Sequence, residues 1–479
     1  MKRTFAVLGG VALAASFVNL YLNSFFAVFF SFLAIAFLIF KNKKNARLLI
    51  CMVCMLVLIL NITNLALKQD MAKDIRGERV IKAQILEVEE HGGYNRITVS
   101  TRVDSLRLKA QLSDFSKVNY TQGDTVTLTA DLEEPSHSYG QYLSANGIQL
   151  YGTVSEISEI NRGKGIYKGI YHLRKHIEDT LKNTLGIKGS APLIAIITGN
   201  QSYFDAATER AIKASGTSHI MVVSGLHLGI LCGAAVGLLK RFKVRPGFVF
   251  LGGIATVFLI LALCSFHISA IRAAITYVVM LFGILIQKRA DALNSLGFAV
   301  FVIVTANPFV AGNVSFLLSI SATFGVVVLA PMLKRNCTPF ALKGKISLIF
   351  GRLLQTLYVS VAALLCTLPI LIFYFGSISV AAIFVNIFIS YAVSFALTLT
   401  ALGVLTSFIP FVGKMVLILA ASLGGYVMWV INLFGKAERF IIYFDTTSKI
   451  IASLIGIAII FSIIYFDIRR KRKEAHNAD

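Results

Sequence analysis

The stretch KNKKNARLLICMVCMLVLILNITNLAL, residues 41–67, joins a strongly basic loop (41–47) to an apolar run of twenty residues (48–67). A helix of about 20 mostly apolar residues spans a bilayer, and short loops rich in Lys and Arg stay on the cytoplasmic side. Two further apolar stretches, 5–22 and 23–40, precede the loop. The first follows Lys2-Arg3 as a signal peptide would, but a second apolar stretch follows at once with no convincing A-x-A site, so it is expected to be retained. With the loop inside, the amino terminus is inside as well, and the third span exits.

Outward from that stretch, the 479 residues are 56% hydrophobic, 15% charged and 11% aromatic, with mean hydropathy +0.75. Soluble domains carry roughly 25% charged residues, so a soluble enzyme, a secreted disulfide scaffold and a disordered tail are excluded for the whole chain. We count about twelve apolar runs, the later ones at 217–239, 247–265, 270–287, 291–306, 312–333, 353–375, 378–408, 411–434 and 449–467. The expected fold class is a polytopic α-helical membrane protein with a small β domain inserted. The basic loops at 240–245, 287–289 and 334–345 and the tail 469–473 all fall on the cytoplasmic side by alternation, provided 378–408 is one span.

The net charge of +22 follows from this topology. Residues 70–164 hold 11 Lys and Arg against 14 Asp and Glu, leaving 35 basic and 10 acidic residues elsewhere, mostly in short loops. Charge alone therefore gives no argument for nucleic-acid binding. The six cysteines avoid the hydrophilic segment, and the C-x-x-C of Cys51 and Cys54 sits in an apolar helix context that suits packing better than redox or zinc chemistry. No structural disulfide, metal site or cofactor is expected.

Five organisational segments follow: amino-terminal spans (1–69), an extracytoplasmic β domain (70–164), an amphipathic helix at the membrane surface (165–188), a membrane domain (189–468) and a basic cytoplasmic tail (469–479). Within the β domain, alternating apolar residues at 81–85, 97–99, 106–112, 126–132 and 150–154 mark five strands, with turns at 92–95 and 122–124. Five short strands suit a small barrel of the OB type, and a β-sandwich is the rival. OB barrels bind single strands by stacking bases on aromatic rings. Tyr94, Phe115, Tyr120, Tyr139, Tyr142 and Tyr151 are available, although aromatics in a small barrel also build its core. Tyr94, Tyr120 and Tyr142 are the DNA-contact candidates. On the amphipathic helix, His172 and His176 have metal-ligand spacing but no third ligand nearby, which favours a solvated face.

The most informative segment is TGNQSYFDAATERAIKASGTSHIMVVSGLHLG, residues 198–229. Asp205, Glu209, Arg210 and Lys213 mark a short polar helix, and His219, Ser224 and His227 open an apolar run. Ionisable groups at membrane depth are costly and by default face a cavity or a partner. Gly225 sits where a helix disfavours glycine, which reads either as a packing kink or as a functional lining.

These residues strongly resemble the ComEC family of competence proteins. The resemblance is carried by Gly199, Gly216, His219, Ser224-Gly225-Leu226-His227, Ser269-Ala270-Ile271-Arg272-Ala273, Arg289-Ala290-Asp291 with Asn294, and Asn307-Pro308. It continues through Ser315-Phe316 with Leu318-Ser319, Thr367-Leu368-Pro369, Phe375-Gly376 and Asn386, and Tyr142-Leu143 with Gly147-Ile148 closes the barrel. It implies an extracytoplasmic OB-like domain, a membrane channel for inward passage of single-stranded DNA during transformation, a cytoplasmic helicase motor and an external DNA receptor. A separate motor also fits the absence of a G-x-x-x-x-G-K-[ST] phosphate loop.

Three departures stand out. The H-x-H-x-D-H cluster of the family's metallo-β-lactamase-like domain is missing from this sequence, so nuclease activity is expected to be absent or supplied by another protein. The OB-like domain lacks the cysteine pair of some relatives. Where the family places Pro after the conserved Asn, this chain reads Ile387-Phe388-Ile389-Ser390-Tyr391.

The channel reading makes His219, Ser224, Gly225, His227, Arg272, Asn294, Asn307, Pro369 and Asn386 the lining or motif candidates. Arg272 is equally placed to snorkel to the outer interface. Two rivals stay open. A small-solute or surface-precursor transporter fits broken helices and midplane polar groups. An intramembrane hydrolase would use Ser224 with His227 or His267, but Val222 breaks the G-x-S-x-G elbow and no acid orients the histidine. The Ser224–His227 pair is expected to be structural, with no covalent chemistry. Membrane lipid is an expected partner, and a pore within one chain or between protomers of a homo-oligomer both fit.

Overall fold

The computed structural model describes residues 4–21, 59, 62–63, 75–91, 94–103, 106–116, 118–133, 135–163, 165–221, 225–336, 345–435 and 441–476. The basic loop at 41–47, most of the second and third apolar stretches, Cys51 and Cys54, and Ser224 lie outside these residues. The chain divides into two compact units, one comprising residues 1–177 with 294–313, the other 178–293 with 314–479.

In the first unit, β1 (Gly77–His91), β2 (Tyr94–Val103), β3 (Leu106–Asp114), β4 (Thr125–Glu133) and β5 (Leu150–Asn161) form a closed barrel in the order β1-β2-β3-β5-β4. β3 pairs with β5 in parallel through Ala110–Leu150 to Ser113–Thr153, and β1 closes on β4 from Gly77–Leu132 to Gln84–Thr125. The expected five strands are all present, and closure favours the OB barrel over the sandwich. Its core is the inward set of the alternation: Ile81, Ile85, Ile97, Val99, Leu108, Leu112, Val126, Leu128 and Leu150. A helix at His137–Ala145, not expected from the sequence, precedes β5.

The same unit holds the apolar helix Thr4–Tyr21 and most of the apolar helix Ala292–Ala306. They cross at glycine. A Cβ on Gly9 would stand 2.3 Å from the Gly297 oxygen, and one on Gly297 would stand 2.2 Å from the Phe5 oxygen. Small residues that bring helix backbones together are the usual device where lipid removes the hydrophobic drive between helices. Ser16 completes the joint, donating to Pro308 O (2.7 Å) and accepting from the Ala311 amide (3.1 Å).

Among the described residues, seven helices are long and apolar enough to cross a membrane: Pro246–Leu263, Ile268–Leu285, Val314–Arg335, Leu354–Phe375, Ala381–Leu405, Phe411–Gly435 and Thr446–Arg470. This is a multi-pass membrane protein with a small barrel domain. Seven long helices do not reproduce the expected count of about twelve, because some apolar runs form shorter helices and others lie outside the described residues. Within the run at 378–408, Ala381–Leu405 is one continuous helix, preceded by a short strand at Ser377–Ser379.

The amphipathic stretch forms the first part of a helix at Ile166–Thr198, interrupted at Gly186, whose φ of 71° and ψ of 169° leave the helical region. Its apolar stripe divides: Ile170, Ile177 and Leu181 are buried in protein, whereas Ile166 and Leu173 are exposed. At its start Lys168 ties the helix to the barrel, pairing with Asp124 at 2.8 Å.

Candidate nucleic-acid interface and polar lining

The barrel presents aromatic rings on one face. Tyr139 and Tyr142, on the helix before β5, stack with centroids 5.8 Å apart and planes 16° from parallel. Tyr151 of β5 meets Tyr139 edge-on at 5.2 Å, and Tyr94 lies 5.4 Å from Phe115. Arg96 links the two groups: it donates to the Tyr94 hydroxyl at 3.2 Å and lies within electrostatic reach of Tyr139. Tyr142 is 50% and Phe115 62% exposed. Exposed rings beside a guanidinium supply stacking surface and a cation for a backbone phosphate. Tyr120 does not belong to this face. It is 5% exposed and packs in the barrel core, so the candidate contact is corrected to a core residue. Arg96 was missed in the sequence because strand alternation says nothing of which outward residues become neighbours across strands.

Two lining candidates have structural partners instead. Asn294 accepts from the amides of Phe5 (2.8 Å) and Ala6 (3.3 Å), tying it to the amino-terminal helix. Asn307 donates to Ser144 O (3.1 Å) and Ala145 O (3.0 Å), while its own oxygen accepts from the Phe309 amide. Asn313 donates to the Asn146 side chain (2.9 Å), which in turn donates to Tyr142 O (2.8 Å). The Asn307–Asn313 segment therefore caps the helix that carries Tyr139 and Tyr142, satisfying carbonyls that a helix terminus leaves without partners. Asn294 and Asn307 thus tie segments of the first unit together.

In the second unit, Thr198-Gly199-Asn200-Gln201 folds as a turn around a buried carboxylate. Glu178 accepts from Asn200 Nδ2 (3.0 Å) and the Tyr203 hydroxyl (3.0 Å), and Gln201 donates to Met221 O (3.2 Å). The polar helix Ala206–Ala214 follows, capped by Asp205, which accepts from the Thr208 amide at 2.8 Å. His219 donates through Nδ1 to Gly216 O at 3.2 Å. His227 is 1% exposed on the Gly225–Arg241 helix.

The structure brings Gly225 and Arg272 together. A Cβ on Gly225 would meet Nη2 of Arg272 at 2.9 Å, and Arg272 Nε donates to the Ser319 hydroxyl at 2.8 Å. Arg272 is 6% exposed, so its side chain is enclosed by protein and does not snorkel. Pro369, inside the Lys345–Phe375 helix, offers its carbonyl to Ser453 Oγ at 3.0 Å.

Asn386 begins a seam that the sequence reading did not notice. Ser390 donates to Asn386 O, Ser394 to Ser390 O (2.8 Å) and Thr398 to Ser394 O (2.9 Å). The four residues recur every fourth position, which places them on one helix face over about 18 Å. The N-x3-S-x3-S-x3-T spacing was its available signal. Oδ1 of Asn386 is buried with no hydrogen-bond partner among the described residues. Also among the described residues, no three His, Cys, Asp or Glu side chains converge as a metal site would require.

A helical membrane unit carrying buried polar groups, with a small barrel presenting an aromatic face, defines the class of protein. The competence protein family model matches residues 196–469, more than half of the chain, and the chain belongs to that family. It is similar to ComE operon protein 3 of Bacillus subtilis, with 24% identity over 271 residues, covering 55% of this chain and 33% of that protein. It is also similar to Recombination protein 2 of Haemophilus influenzae, with 22% identity over 275 residues, covering 54% of this chain and 34% of that protein. The matched region is thus about a third of each relative's length. No solved structure matches.

Proposed function

We propose that this protein is a membrane channel for inward passage of single-stranded DNA during natural transformation. The observation that carries the reading is the competence family match over residues 196–469, which includes all seven long apolar helices almost to their end. A strand crossing a bilayer must exchange counterions for fixed positive charge and water for polar lining. Arg272, His219, Ser224, His227, Pro369 and Asn386 are the lining or motif set in this reading, with Gly225 making room. The aromatic face of the barrel, with Tyr94 and Tyr142, is the receiving surface on the outer side.

The chain is a conduit and carries out no chemistry of its own. A cytoplasmic helicase pulls the strand, an extracytoplasmic receptor delivers it, and a nuclease step is either absent or supplied by another protein. Membrane lipid surrounds the helices, and a second copy of the chain is an optional partner. Uptake of labelled DNA in a deletion strain tests the reading. Loss of uptake, restored by the gene, is expected; normal uptake with no compensating paralogue overturns it in favour of a small-solute transporter. Reporter fusions at Gly92 and Lys343 are expected to be extracytoplasmic and cytoplasmic, respectively. A cytoplasmic signal from Gly92 reverses the direction of transport.

A further inference from the structure

We propose that Arg272 forms a binding station for one phosphate-type anion inside the helical unit. Resting on the channel reading, its occupant in the working protein is a phosphodiester of the strand in transit.

A guanidinium does not lose its proton in proteins, so Arg272 is a permanent positive charge on the Ile268–Leu285 helix. Burial of an ion is expensive unless a counter-charge and further hydrogen bonds accompany it. Two buried carboxylates are paired in this way, Asp124 with Lys168 and Asp467 with Arg335. Arg272 departs from the rule. Among the described residues no carboxylate lies within 4.0 Å of its guanidinium, and its hydrogen bond is to the neutral Ser319 hydroxyl.

The donor geometry suits an anion. Nε points to Ser319, which leaves the four Nη hydrogens without a protein acceptor among the described residues. The Ser319 oxygen accepts from Nε, so its own hydrogen remains available to donate beside them. Gly225 keeps the ground next to Nη2 clear, since any Cβ there would stand 2.9 Å from that nitrogen. A planar fork of N–H donors with an adjacent hydroxyl is the arrangement that grips two oxygens of a phosphate. One such station holds a phosphate firmly enough to replace lost counterions, yet a single site lets the strand step on.

The test uses the full chain in nanodiscs of zwitterionic lipid, with ionic strength held constant by chloride. Inorganic phosphate, dimethyl phosphate and oligo(dT) are titrated while thermal unfolding is followed. A ligand that binds only the folded state raises Tm with its concentration. The wild type is expected to show a saturable rise with all three probes. Arg272→Gln should abolish the rise with inorganic phosphate and dimethyl phosphate and lower, without removing, that with oligo(dT), which the barrel's aromatic face also binds. Arg272→Lys, which keeps the charge and loses the fork, should weaken the phosphate response several-fold. Gly225→Ala keeps the arginine and crowds Nη2, and should also weaken it; if Arg272→Gln does not fold, this variant and Arg272→Lys decide. An equal response in wild type and variants, or no saturable response in wild type, overturns the station. If the station fails while cells still import DNA, the channel reading stands. If phosphate binds as expected and a deletion strain still imports DNA, the channel reading fails and the station remains.

Discussion

Asn307 donates its side-chain amide to the backbone oxygen of Ala145 at 3.0 Å, across 162 positions of sequence. The same nitrogen donates to Ser144 O at 3.1 Å, so one asparagine closes the end of the helix that presents Tyr139 and Tyr142. Asn307→Ala removes the side-chain donor to Ala145 O and one of the donors to Ser144 O, which still accepts from the Gly147 amide, a loss of about 1–3 kcal/mol where the Ala145 carbonyl stays buried. Hydrogen exchange at the Asn146, Gly147 and Ile148 amides, which bond back into this helix, should accelerate, and oligo(dT) binding should weaken. Unchanged exchange would show that the cap is dispensable.

Stacking predicts opposite phenotypes for two tyrosines. Tyr142→Ala removes an exposed ring and should lower oligonucleotide affinity by about 1–3 kcal/mol while the barrel remains folded. Tyr120→Ala opens a cavity in the barrel core, and large aromatic deletions there cost about 3–5 kcal/mol. Its first effect should be lost folded protein, read by limited proteolysis of the barrel. If Tyr120→Ala weakens binding without loss of stability, its ring has a role at the surface after all.

Asp124 makes the barrel's attachment pH-sensitive. Burial pushes its carboxyl up, but hydrogen bonds from Lys168 and Thr121 and from the Gly163 and Thr121 amides outweigh this, holding it below the ordinary value. A carboxyl depressed in the native state is more protonated in the unfolded chain, so stability rises with pH. The contribution is complete above the unfolded value of about 3.9 and disappears as pH falls through the lower native value. Thermal melts of the full chain between pH 6 and pH 3 should show an acid-side loss that Asp124→Asn, already weaker at pH 6, largely lacks.

The helix crossing at Gly9 and Gly297 tolerates no side chain. Gly297→Ala drives a Cβ to 2.2 Å from the Phe5 oxygen, and overpacking of this kind typically costs about 1–3 kcal/mol. Membrane-inserted protein should fall accordingly. Gly10→Ala is the control: nothing lies within 4 Å of its added Cβ, and alanine favours a helix by about 1 kcal/mol over glycine. Equal yields of the two variants would mean that the helices separate at little cost.

His227 separates lining from chemistry. Gln keeps a donor and an acceptor but cannot act as a proton-transfer base, so His227→Gln should retain substantial DNA uptake. His227→Leu places an apolar side chain at a buried polar position and should lose uptake or folded protein, at about 1–3 kcal/mol for the stranded partner. Equal, complete loss in both, with normal insertion, would favour acid–base catalysis.

Apolar runs of spanning length and Lys/Arg-rich loops are local properties of the chain, and they sufficed to read a multi-pass membrane protein. Alternation is local too, and it located all five strands. The helix at His137–Ala145 escaped because its pattern is weak: Gly140 lies inside it, and Ser136 before it makes no side-chain cap. Barrel closure depends on the β1–β4 and β3–β5 pairings, which join residues far apart in sequence and leave no mark within either strand. Tertiary packing likewise sent Tyr120 inward and Tyr142 outward, gave Asn294 and Asn307 backbone partners, and enclosed Arg272 beside Gly225. A side chain's chemistry is written in the sequence, but its surroundings are assembled from distant segments, and the surroundings decide what that chemistry can do.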